Sequence, residues 1–104
     1  MARTFRLTAD GGSRGNPGPA AYGAVVSENG NILAELFDTL GVATNNVAEY
    51  NGLLAGLTHI HQLDPSAKVE VAMDSKLVVE QMSGRWQIKH ADMRDLAKKC
   101  RDAH

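Results

Sequence analysis

Over its first forty residues the chain alternates apolar and polar positions. Phe5, Leu7 and Ala9 fall on one side of an extended chain and Thr4, Arg6, Thr8 and Asp10 on the other, which predicts a strand over 4–10. A second strand is predicted over 20–27. A third is predicted over 31–40, with Ile32, Ala34 and Leu36 alternating against Leu33, Glu35 and Phe37. Between these two, Glu28-Asn29-Gly30-Asn31 reads as a hairpin turn, because Asn-Gly accepts the positive φ of a type I′ turn. The three strands form an antiparallel meander, which Gly41 is expected to end.

The period then changes. Thr44-Asn45-Asn46 offers capping side chains, and Val47, Tyr50, Leu53, Leu54, Leu57 and Ile60 share one face of a helix running to about Leu63. Gly52 and Gly56 lie inside it, each costing about 1 kcal/mol relative to Ala. Being four apart they share a face, so close approach to the sheet is the expected compensation. Asp64-Pro65-Ser66 breaks the helix. Val69, Val71 and Met73 alternate in a strand over 68–74, which should run parallel to the first through a crossover. A short helix over 75–82, stopped by Gly84, and a last helix from about Asp92 complete the order β-β-β-α-β-α-α. This is an α/β pattern with a mixed sheet, taken as one domain over 1–104.

Composition narrows the picture without deciding it. The 104 residues carry 43% apolar and 22% charged side chains, ordinary for a globular domain. No apolar run is long enough to span a bilayer, so no membrane partner is expected. The single cysteine, Cys100, forms no internal disulfide and suits a reducing, cytoplasmic setting. It shares a helix stripe with Met93, Leu96 and Ala97 and is expected in the core. Net charge is −1. The basic residues after Arg85 are interleaved with Asp92, Asp95 and Asp102 and read as a solvated helix face before a phosphate-binding stripe. His59 and His61 lack the i, i+4 spacing of a helical metal pair, and Trp86 is expected to pack over a loop.

The candidate chemistry lies in three carboxylates. Asp10 is expected at a strand end, followed by a loop through Pro19 with too many Gly and Pro residues for helix or strand. That loop could present N–H groups to a phosphate, but it has neither the Lys-Ser/Thr ending of a Walker loop nor dinucleotide spacing. Glu49 also fits a capping box, Asn46-Val47-Ala48-Glu49, and Asp74-Ser75 could cap the short helix. Taken together the three change meaning. If the first and fourth strands are parallel neighbours, Asp10 and Asp74 emerge at one edge, and Glu49 at the head of the helix can face them. Clustered carboxylates repel unless a proton or cation neutralises them. Oxygen-only ligands favour Mg²⁺ or Mn²⁺, and two such ions can activate water and stabilise a leaving oxygen in phosphodiester cleavage.

The chain resembles type 1 ribonuclease H. The likeness rests on Asp10-Gly11-Gly12-Ser13-Arg14-Gly15-Asn16-Pro17-Gly18-Pro19, on Thr44-Asn45-Asn46-Val47-Ala48-Glu49 and on Met73-Asp74-Ser75, in the family's order and spacing. The stretch from Asp74 to Gly84 looks most like the ribonuclease H domain that some bacteria fuse to a phosphatase-like domain. The resemblance implies a ribonuclease-H-like fold and Mg²⁺-dependent (or Mn²⁺-dependent) hydrolysis of the RNA strand of RNA–DNA hybrids, leaving 5′-phosphate and 3′-hydroxyl ends. It implies that Asp10, Glu49 and Asp74 are catalytic metal ligands for two ions. It implies that Gly12, Asn16, Asn45 and Asn46 contact the hybrid. Amides can hydrogen-bond a 2′-hydroxyl and so separate RNA from DNA without reading sequence. The family pattern continues with a further strand and a helix bearing a fourth carboxylate. The expectation is therefore a C-terminally truncated domain that a further domain or chain would complete, with a catalytically inactive hybrid-binding module as the alternative.

Overall fold

The computed structural model describes residues 3–15, 17–73, 78, 82 and 98–103. Four strands and one long helix organise them: β1 (Thr4–Ser13), β2 (Gly18–Glu28), β3 (Asn31–Ala43), α1 (Asn45–Leu63) and β4 (Lys68–Ala72). The sheet order is β3-β2-β1-β4. The meander is antiparallel, and β4 lies parallel to β1 in the register Thr4 opposite Lys68 through Thr8 opposite Ala72. The Lys68 N–H donates to the Arg3 carbonyl at 2.8 Å and opens this ladder. At the same end the Arg3 guanidinium grips Glu28 with two bonds, at 2.8 and 2.9 Å, and lies 4.6 Å over the Phe5 ring.

The core lies between α1 and one face of the sheet. Phe5, Leu7 and Ala9 of β1 and Ala24 and Val26 of β2 meet Tyr50, Leu53, Leu57 and Ile60 of α1, with Ala67, Val78 and Cys100 completing the cluster of described residues. Burying each of the larger side chains contributes roughly 1.5–3 kcal/mol. The expected role of the two helix glycines holds. A Cβ on Gly56 would fall 2.2 Å from a Leu7 methyl, and one on Gly52 would fall 3.4 Å from the Ala9 Cβ. The helix therefore rests directly on β1. Asn29 (φ 52°) and Gly30 (φ 81°) turn the β2–β3 hairpin as their sequence requires.

Four expectations are corrected. The glycine-rich stretch does not fall out of the sheet at Gly11, because Gly11, Gly12 and Ser13 pair with Tyr22, Ala21 and Ala20. Asp10 thus lies inside β1 rather than at its end. Only the turn between β1 and β2 is irregular, and Arg14 N–H bonds Pro19 O across it at 2.9 Å. Gly41 does not end the meander. It takes φ 69° at a bulge, and β3 continues to Ala43. A second bulge breaks the alternation of β3, for Ala34 stands opposite Val26 but Ile32 opposite Ser27. The extra residue carries Ile32 away from the Ala34–Leu36 face, and Ile32 is 62% exposed. Of the predicted helix over 75–82 only Val78 and Met82 are described, both helical, while the Arg85–His90 connection with Trp86 and the first part of the last helix lie outside the described residues. Residues 98–103 are helical, with Cys100 buried as expected and Lys98, Lys99, Arg101 and Asp102 exposed.

Candidate active site

Asp10 and Glu49 reach the same end of the molecule by different routes. Asp10 is exposed and follows the last β1 residue that contributes to the core, and its Oδ1 accepts the Gly11 N–H at 2.9 Å. Glu49 is half-buried in α1. What joins them is Gly11. A Cβ there would stand 2.5 Å from the Ala48 carbonyl carbon and 2.6 Å from the Glu49 nitrogen. Real side chains do not approach so closely, so only glycine allows the head of α1 to lie against β1 one residue beyond Asp10.

Glu49 is not a capping residue. The α1 N-cap is Thr44, whose hydroxyl accepts the Val47 N–H at 3.2 Å, and the first turn holds no acidic side chain. The expected capping box of Asn46 and Glu49 is therefore absent. The cap lies two residues earlier, which puts Glu49 a turn into the helix and leaves its carboxylate without that structural duty.

The amide end of the site is ordered by the same junction. Asn45 opens α1, and its carboxamide oxygen accepts both the Ser13 N–H at 2.7 Å and the Ser13 hydroxyl at 3.0 Å. Gly12 borders the same oxygen, since a Cβ at Gly12 would lie 3.9 Å from it. Asn46 follows, half-buried, as the second helical residue. Gly12, Asn45 and Asn46 are thus gathered at the Asp10–Glu49 junction. Ser13 belongs there too, although the sequence marked it only as part of a motif. Asn16 and Asp74 lie outside the described residues.

Asp10 also borders an open groove of about 690 Å³ along β1, β2, β3 and β4, floored by Thr8, Gly23, Val25 and Ala72, with Glu35 on its rim. Nothing in the sequence marks Glu35 beyond its place in the β3 alternation. Among the described residues no group of three His, Cys, Asp or Glu side chains stands close enough to hold a metal ion. Asp10 and Glu49 are nonetheless an oxygen-only pair at a backbone junction, the donor chemistry that hard divalent cations take.

Comparison with known proteins shows relatives of this fold. Residues 8–104 match the family model described as "Reverse transcriptase-like". The chain is 60% identical over 89 residues to the "Bifunctional protein Rv2228c" of Mycobacterium tuberculosis, covering 84% of this chain and 24% of that one. The solved N-terminal RNase H domain of that protein, fused to maltose binding protein, superposes with a TM-score of 0.94 at 52% identity, over 98% of this chain and 74% of the other. A "Ribonuclease HI" of Halobacterium salinarum is 46% identical over 94 residues, 89% of this chain and 47% of that protein. LC11-RNase H1, solved in complex with RNA/DNA hybrid, gives a TM-score of 0.89 at 37% identity over 95% of this chain and 75% of its own. The chain thus spans between about a quarter and about half of the length of these two curated relatives.

Proposed function

The chain belongs to the ribonuclease H-like family, and on that premise we propose that it is the metal-binding part of an endoribonuclease that cuts the RNA strand of RNA–DNA hybrids. The observation that carries this reading is the seating of Ala48 and Glu49 on Gly11, which brings the backbone of a second acidic residue against the residue following Asp10. The β1–β4 register supports the third ligand. Asp74 follows Ala72 by two residues as Asp10 follows Thr8, and Thr8 and Ala72 are paired.

In this proposal Asp10, Glu49 and Asp74 hold two divalent cations, Mg²⁺ or Mn²⁺. When bound, such ions lower the pKa of water and stabilise charge on phosphoryl oxygens. The chain itself supplies the placement. Asp10 sits in a paired strand, and its carboxylate is steadied by the Gly11 N–H. Glu49 is fixed by a helix that rests on the sheet through Gly52 and Gly56. Gly12, Asn16, Asn45 and Asn46 contact the hybrid, where amides can meet a ribose 2′-oxygen that DNA lacks. The products are 5′-phosphate and 3′-hydroxyl ends.

The test is incubation of the chain, alone and extended by the further strand and carboxylate-bearing helix of the family pattern, with end-labelled RNA–DNA hybrid and Mg²⁺, each beside its Asp10→Asn variant. RNA-strand cleavage that the substitution abolishes is expected. Equal cleavage by a protein and its variant contradicts the reading. Tight, salt-sensitive hybrid binding with no product at any Mg²⁺ concentration would make the chain a hybrid-binding module instead.

A further inference from the structure

We propose that β3 pairs with β3 of a second copy of this chain, antiparallel about a two-fold axis at Phe37, so that the two sheets become one.

Among the described residues β3 is an edge of the sheet, bonded to β2 alone. At 13 residues it is also the longest of the four strands. A long open edge offers backbone N–H and C=O groups to any strand that fits beside it, and sheets commonly guard such edges with lysine or proline. Residues Asn31–Ala43 contain neither. They present apolar side chains instead: Ile32 is 62%, Phe37 86% and Val42 75% exposed.

These three share the sheet face turned away from α1. Ile32 stands opposite Ser27 and through it Arg6, and Phe37 stands opposite Gly23 and through it Asp10. Both β1 residues alternate with the buried Phe5, Leu7 and Ala9. Val42 stands opposite Pro19, which is exposed beside the buried Ala20. Residues five apart on a regular strand point to opposite faces. The two bulges, which leave Leu33 and Leu40 without partners on β2, cancel that inversion. Each adds one residue and so brings Ile32 or Val42 round to the face of Phe37.

The pattern is its own complement. With the axis at Phe37, Phe37 of one copy faces Phe37 of the other, and Ile32 faces Val42 at both ends. Aromatic and β-branched pairs of this kind stabilise antiparallel neighbours. The acids fit the same axis. Glu35 faces Thr39 and Asp38 faces Leu36, so no carboxylate opposes another. Moving the axis to midway between Leu36 and Phe37 sets Glu35 against Asp38, and moving it to Leu36 sets Phe37 against Glu35. Equal spacing on either side of one residue is what a closed two-fold pair requires and a foreign strand does not. The occupant is therefore a second copy.

With three exposed apolar side chains from each copy the interface is small, so pairing is expected at about 100 µM and above. Sedimentation equilibrium of the unaltered chain should give a mass that rises towards twice the monomer value between about 10 µM and about 1 mM. Phe37→Lys should hold the monomer mass throughout, with circular dichroism and melting temperature unchanged. Cross-linking reads the register. Directly opposed residues lie about 4.5–5.5 Å apart at Cα, within disulfide range, so Phe37→Cys should oxidise to a covalent dimer. Glu35→Cys should not, because its own copy lies about 13 Å away along the paired strand. Cys100 is buried and does not compete. Monomer mass at every concentration, a dimer that Phe37→Lys leaves intact, or a Glu35→Cys cross-link as rapid as that of Phe37→Cys overturns the inference.

Discussion

The backbone of Glu49 lies against Gly11, so closely that a single added methyl would stand 2.6 Å from the Glu49 nitrogen. This contact sets how closely the two backbones that carry the described carboxylates of the candidate site approach. Gly11→Ala must move the head of α1 or bend β1. We expect a stability loss of roughly 1–3 kcal/mol from overpacking, together with at least tenfold weaker Mg²⁺ binding. Thermal melts and a Mg²⁺ titration of the same variant check both parts. Unchanged metal affinity would show that the junction does not set the site.

Thr44 and Glu49 should separate cleanly by mutation. Thr44→Ala removes the hydroxyl that accepts the Val47 N–H and should cost about 1 kcal/mol. Glu49→Gln should change stability by no more than about 0.5 kcal/mol while abolishing hybrid cleavage. Urea denaturation of both variants checks this. A large stability loss in Glu49→Gln would restore the capping role that the structure denies it.

Burial pushes the Cys100 thiol and the Tyr50 phenol each up to about 12. Both groups stay neutral in the native protein while the unfolded chain begins to lose the same protons near their ordinary values of 9.0 and 10.0. The native state then holds more protons than the unfolded one, so stability falls as pH rises from about 9 to about 12. Below that window the two groups contribute no pH dependence. The slope approaches about 1.4 kcal/mol per pH unit for each group. Denaturation midpoints at pH 8, 10 and 11 measure it. In parallel, a thiol reagent at pH 8 should label Cys100 only after unfolding.

Two aromatic residues of the sheet should carry unequal costs. Phe5 is fully buried, and Phe5→Ala should cost about 3–5 kcal/mol. Phe37 is 86% exposed, and Phe37→Ser should shift stability by less than about 0.5 kcal/mol. Paired denaturation curves check both.

Much of this was legible in the sequence because single-residue periods carry it. The alternation of Phe5, Leu7 and Ala9 gave β1 and its buried face, and Asn29-Gly30 gave the hairpin. Gly52 and Gly56 gave the face on which α1 lies against the sheet. The errors came where pairing partners override local composition. Gly11 to Ser13 have no strand propensity of their own, yet β2 offers a ladder to them, so Asp10 is an interior strand residue. The bulges at Leu33 and near Gly41 depend on the register with β2, which no pattern within β3 reveals. At α1, three consecutive cap-forming residues left the true cap ambiguous, and Thr44 rather than Asn46 took it. That choice changed the meaning of Glu49. Ser13 was hidden for a different reason: the side chain its N–H bonds, Asn45, lies 32 positions away.

In the proposed site Asp10 and Glu49 share one of the two divalent cations, between β1 and α1. The most direct test is substoichiometric Mn²⁺ added to the ¹⁵N-labelled chain, read as paramagnetic broadening of backbone amides. The account predicts that Gly11 and Glu49 broaden first, that Gly30 at the far hairpin does not, and that Asp10→Asn abolishes the effect. Broadening elsewhere, or broadening at Gly11 and Glu49 that persists in Asp10→Asn, would contradict it.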